Sequence, residues 1–134
     1  MRYHELIEGP YQDNSGVTVV PDAKDSETHF WIKDGDRVVG GFMLMKNRDA
    51  LNLHISLNDG EIGKGYGQIA YHHGQKVADA RGLSFEPSPL LTGDSYRAWK
   101  RFKPEAVADY YQEEEIAGFG ETWLDPRFYD PEDR

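Results

Sequence analysis

Gly63, Gly65 and Gly67 stand two apart in the stretch EIGKGYGQ, residues 61–68, immediately before a helical periodicity begins. Glycines at a helix start let the backbone approach a ligand closely, and unpaired N–H groups together with the helix dipole favour an anion there. The chemistry implied is phosphate binding, with Lys64 as an added cation; the alternative is a flexible strand-to-helix connector. Two better-known phosphate patterns are excluded. Lys64 is followed by Gly65, so the Gly-Lys-Ser/Thr of a nucleotide P-loop is missing. No early βαβ unit and no acidic ribose ligand at the usual spacing supports a dinucleotide fold.

Other reactive constellations fail on their spacing. The chain has no cysteine, which removes disulfides, thiolate metal sites and thiol nucleophiles. His72 and His73 are adjacent, so on a helix they diverge by about 100° and cannot share a metal. Ser88 and Ser95 lack the strand–turn–helix elbow of a serine nucleophile. The acidic run at residues 113–115 reads as a solvated helix end.

The elements that position the glycines follow from periodicity. Residues 27–33 and 37–46 are β-rich runs joined by Asp34-Gly35-Asp36, a hairpin whose central pair is expected at positive φ. Residues 38–45 are apolar at nearly every position, which predicts a central strand covered on both sides. After a turn at residues 47–49, Leu51, Leu53, Ile55 and Leu57 alternate with Asn52, His54 and Ser56, giving one core face and one polar face. Glu61, beyond that strand, is expected to face solvent. A helix over residues 66–81 carries Tyr66, Ile69, Ala70, His73, Val77 and Ala80 on one face and ends at Gly82. A short strand at 83–86 is stopped by Pro87 and Pro89. Thr92 or Asp94 caps a second helix with Tyr96, Trp99 and Phe102 as its apolar stripe. Pro104 ends it or opens a further helical turn over 106–114. The tail from residue 116 reads as irregular, with Phe119, Trp123, Phe128 and Tyr129 packed on the body. Residues 2–7 form a short element and residues 17–20 a strand. The order is hairpin, strand, glycine turn, helix, strand, helix, an α/β layered arrangement.

The 134 residues suit a single domain spanning 1–134, with 38% hydrophobic and 13% aromatic residues for its core. No apolar run approaches the roughly 20 residues that span a bilayer, and nothing resembles a secretory signal, so a soluble, cytoplasmic protein with no membrane partner is expected. Fifteen basic against 24 acidic residues give a net charge of −9, which disfavours nucleic acid as a partner and accommodates amine-bearing ones.

Gly63-Lys64-Gly65-Tyr66-Gly67, after an amphipathic strand and before a helix ending in ADARGL, resembles the coenzyme A pyrophosphate loop of the GNAT superfamily of N-acetyltransferases. The family pattern of Arg or Gln, two residues, Gly, one residue, Gly or Ala falls on residues 62–67; both glycines match, and Ile62 stands in the first position. The resemblance covers residues 26–103, leaving 104–134 as a C-terminal helix and tail, and extends to small GNAT-like proteins encoded by bacteriophages. It implies an α/β (α+β) fold with a mixed, mainly antiparallel central sheet, helices on both faces, and a strand pair splayed at the cofactor site.

The resemblance further implies acetyl-CoA as co-substrate. Its pyrophosphate would meet the N–H groups of Ile62, Gly63, Lys64, Gly65, Tyr66 and Gly67, and its pantetheine arm would pair with strand backbone around Leu57. An amine acceptor would attack the thioester directly, with a main-chain N–H polarising the carbonyl. His54 is the candidate base, being the group of its strand's polar face that titrates near neutrality. The family's acid is a tyrosine in the second helix; Trp99 stands near that place, and Tyr96, one turn earlier, is the candidate substitute. The space before residue 27 is short for the helix pair that walls the family's acceptor site. Two functions are therefore carried: an acetyl-CoA-dependent N-acetyltransferase, or an inactive GNAT-fold binding or assembly module. In the second, Trp99, Phe119, Trp123, Phe128 and Tyr129 would form a surface for a homodimer or partner protein.

Overall fold

In the first half of the chain, alternating apolar residues build a sheet with one dry face. The computed structural model describes residues 16–113 and 120–130. The element expected at 2–7, Phe119 and the acidic residues 114 and 115 lie outside them. The chain forms two compact units, residues 1–86 and 87–134.

The first unit is a five-stranded sheet in sequence order: β1 (Val17–Pro21), β2 (His29–Asp34), β3 (Arg37–Asn47), β4 (Ala50–Leu57) and β5 (Ser84–Phe85). All neighbours are antiparallel except β4 and β5, which run parallel. Parallel strands need a crossover, supplied here by the helix α1 (Tyr66–Arg81). Register puts Phe42 opposite Ile55 and Leu44 opposite Leu53, so these side chains share a face with Phe30 and Ile32. α1 lies on that face. The His73 ring centroid is 4.8 Å from Phe30 and 5.5 Å from Phe42, and its burial pushes its pKa down to about 3. Burial disfavours the imidazolium.

Several expectations are corrected in this unit. At the β2–β3 turn positive φ occurs at Gly35 alone, so the central pair is Gly35-Asp36. Val38 and Met45 are exposed, because β3 buries alternate residues with one bulge opposite Ile32 and Lys33. Asn52, assigned to a polar face, is buried, and its Nδ2 donates to the Glu86 carbonyl at 2.8 Å. On α1 the buried stripe includes Tyr71, Gly74 and Ala78, while Ala80 is exposed. The C-cap is Gly82, as expected, in the left-handed region.

The second unit pairs a helix with a small sheet. α2 (Gly93–Phe102) is capped by Thr92, whose Oγ1 accepts from the Ser95 N–H. The sheet orders β6 (Leu90–Thr92), β8 (Thr122–Leu124) and β7 (Tyr111–Glu113), all antiparallel. The helix expected over 106–114 is replaced by a 3-10 turn at Pro104–Val107 and then by β7. The tail expected to be irregular supplies β8. Pairing with a distant strand overrides the local helical pattern of these short segments. Trp99 is buried and meets Phe102 edge-on, while Phe128 and Tyr129 are exposed. No helix among the described residues is long and apolar enough to cross a membrane.

Candidate functional site

β4 and β5 pair only at Ala50↔Ser84 and Leu51↔Phe85, and the last rung is the Glu86 N–H donated to the Leu51 carbonyl. Beyond it β4 continues to Leu57 while the other strand leaves at Pro87 and Pro89. Proline cannot donate to a ladder, which is why the pair parts here. Strand alternation follows from that last rung. Leu51 points its backbone toward β5, so Leu53, Ile55 and Leu57 point theirs to the same edge, and Asn58 donates the other way, to Val39. The site thus begins with a strand edge bared by the splay.

At the end of that edge lies the glycine connection. Gly63 and Gly65 have φ of 87° and 89°, and Gly65 is the N-cap of α1. No side chain caps the helix, and no acidic residue occupies its first turn. A Cβ built on Gly63, Gly65 or Gly67 would meet no atom within 4 Å. For Gly63 and Gly65 the backbone conformation explains the residue type. Gly67 sits inside the first helical turn, where glycine costs up to about 1 kcal/mol against alanine. Neither packing nor conformation requires it. The loop therefore fits a coenzyme A pyrophosphate: open space in front, donors at a helix N-terminus, and no built-in anion as cap.

Behind the loop is a charged network that the sequence did not reveal. Glu61 is buried, correcting the expectation that it faces solvent. Its Oε1 accepts from Arg37 Nη1 and its Oε2 lies 3.4 Å from Lys64 Nζ. Tyr66, first residue of α1, donates its hydroxyl to Asp34 Oδ2 at 2.6 Å, and that carboxylate oxygen lies 3.9 Å from Arg37 Nη2. The bond to Asp34 raises the Tyr66 pKa, and the bond to Glu61 raises that of Arg37. Lys64, predicted as a cation for the ligand, is thus held by Glu61. Asp34 and Arg37 flank the β2–β3 turn, 24 or more positions from their partners, and no local signal announces them.

The remaining predicted residues are distributed as follows. Ile62 is exposed and the loop at 62–67 is one continuous connection from Leu57. His54 and Ser56 are exposed on the sheet face opposite α1. Trp31 is on that same face, its ring over Gly41 and its Nε1 donating to Asp22 at 3.0 Å. Tyr96 belongs to the second unit, where its ring stacks on Trp123 with centroids 3.7 Å apart and planes 2° from parallel. Trp123 is fixed in turn by its Nε1 donating to Glu121, which Arg97 also holds. Among the described residues no group of His, Asp and Glu is placed to hold a metal ion.

No protein-family profile matches the chain. No curated protein sequence matches it either. Solved structures do. An acetyltransferase of the GNAT family from Streptococcus pneumoniae superposes with a TM-score of 0.52 at 9% identity, covering 87% of this chain and 68% of that one. A GNAT-family acetyltransferase from Bacillus anthracis gives 0.53 at 15% identity, covering 75% and 66%. The chain therefore spans about two thirds of the length of either. Its mainly antiparallel five-stranded sheet with helices agrees with those likenesses: the chain has the GNAT fold.

Proposed function

We propose that the chain is an acetyl-CoA-dependent N-acetyltransferase that acetylates a primary amine of a small molecule or macromolecule. The observation that carries this reading is one continuous connection in which a bared strand edge ends at an uncapped helix start with open space at three glycines.

Bound acetyl-CoA supplies a thioester that an amine can attack directly, with the thiolate leaving. In this reading the N–H groups of residues 62–67 receive the pyrophosphate, and the edge of β4 at Leu57 offers main-chain donors to the rest of the molecule and to the developing oxyanion. His54 takes the proton from the attacking ammonium, directly or through water, and Tyr96 gives one to the departing sulfur. The acidic chain, at −9, favours a cationic acceptor.

A second reading, a GNAT-fold binding module without turnover, draws on one observation. Tyr96 is stacked face to face on Trp123, a structural use of the residue assigned as acid. Calorimetric titration with acetyl-CoA, followed by coenzyme A release across a panel of amines, separates the readings. Binding with release supports the enzyme; absence of binding by the wild-type chain removes it.

A further inference from the structure

The five residues from Glu61 to Gly65 leave one strand and enter one helix, and two neighbouring side chains from elsewhere, Arg37 and Asp34, grip the two ends of that passage. Arg37 donates to Glu61 before the glycines, and its Nη2 lies 3.9 Å from Asp34 Oδ2, which accepts from the Tyr66 hydroxyl after them. All of this comes from the β2–β3 hairpin, whose own geometry is set by the sheet. A loop with two residues at positive φ and no side-chain packing around its glycines has little of its own to hold one shape.

We propose that Arg37 is a positioning residue for the glycine loop: by clamping Glu61 directly and Tyr66 through Asp34 it holds the N–H groups of residues 62–67 in the arrangement that receives the cofactor's pyrophosphate. The inference rests on the cofactor reading above and adds to it a residue outside the glycine motif. Guanidinium suits the task because its planar fork presents one nitrogen to Glu61 and the other toward Asp34, which an ammonium cannot do with the same geometry. Glu61 completes the clamp from below, and its side chain, 11% exposed, is neutralised by Arg37 and Lys64 together. A carboxylate next to an anion site is tolerable only when paired in this way. Preorganisation of this kind raises affinity by reducing what must be ordered on binding.

A competing arrangement would have Arg37 leave Glu61 and contact the phosphates itself. The two make opposite predictions for Glu61→Gln. If Arg37 positions the loop, the substitution loosens the clamp and weakens acetyl-CoA; if Arg37 is a phosphate ligand held back by Glu61, it frees the cation and tightens acetyl-CoA.

The test is a cycle of Arg37→Met, Glu61→Gln and the double variant, with Tyr66→Phe as a milder change that removes only the hydroxyl. Each is titrated with acetyl-CoA, and amide order parameters of Gly63 and Gly65 are measured without cofactor. Arg37→Met and Glu61→Gln are each expected to raise Kd by about tenfold, the scale on which supporting partners act at preorganised sites. The double variant should be no weaker than the worse single, because both remove one clamp. In Arg37→Met the loop order parameters should fall from about 0.85 to below about 0.6 while those of the sheet stay unchanged. Tighter binding by Glu61→Gln, additive losses, or unchanged loop order parameters would overturn the proposal. Failure of the wild type to bind acetyl-CoA sinks the cofactor reading instead, and with it the pyrophosphate part of this one, while the order parameters decide the clamp on their own.

Discussion

Gly74 of α1 lies directly against the ring of Phe85: a Cβ there would stand 2.5 Å from Phe85 Cζ and 3.3 Å from Leu44 Cδ2. The missing side chain lets the helix sit close to the strand that parts from β4, and so helps to place the helix start at the end of the bared edge. Phe85 is buried and meets Tyr71 edge-on at 6.4 Å, so its ring would have to yield within a packed core.

Gly74→Ala should therefore destabilise. Helix propensity alone would favour alanine by up to about 1 kcal/mol, but overpacking a filled core costs typically about 1–3 kcal/mol. The steric term wins, and a lowered denaturation midpoint in urea checks it. A midpoint equal to or above that of the wild type would show that Phe85 can move aside.

Gly67→Ala should do the reverse to stability while harming the site. Its Cβ enters open space within the first turn of α1, so the helix gains up to about 1 kcal/mol. The same methyl stands where the proposed pyrophosphate approaches. Unchanged or raised Tm together with weakened acetyl-CoA binding is the expected pair, and unchanged binding would separate Gly67 from the ligand.

His73 makes the first unit sensitive to acid. Its pKa falls from 6.5 to about 3 on burial, so it is neutral when folded and takes a proton on unfolding at mildly acid pH. Its contribution is fully present above pH 6.5, declines as the pH falls below that value, and is lost through pH 3, with a limiting slope of about 1.4 kcal/mol per pH unit. In His73→Leu this part of the acid destabilisation should vanish, read as a flatter dependence of unfolding free energy on pH. An unaltered profile would mean that other groups carry it.

His54→Ala and Tyr96→Phe test the proposed proton transfers separately. His54 is exposed, so its loss should leave Tm unchanged while kcat falls by about 100-fold or more, the ordinary reach of a general base. Tyr96→Phe keeps the stack on Trp123 and removes only the hydroxyl. A fall in kcat with stability and acetyl-CoA affinity retained assigns the acid; an unchanged rate leaves Tyr96 with its structural role alone.

Local chemistry in the sequence determined a large share of this protein. The alternation at 51–57, the presence of a hairpin turn around Gly35, the helix from Tyr66 to its Gly82 cap, and the glycine spacing are all encoded within a few residues of where they act, because φ preference, strand period and helix period are short-range. Tertiary structure decided what depends on distant partners. It turned residues 111–113 and 122–124 into paired strands, brought Asn52 into the core to hold Glu86, and stacked Tyr96 on Trp123. It also buried Glu61 against Arg37, 24 positions away, so that a charge expected in water became part of the support for the glycine loop. Such pairings have no local signature, since nothing in the residues around Arg37 says which strand end the hairpin will face once the sheet has set its register.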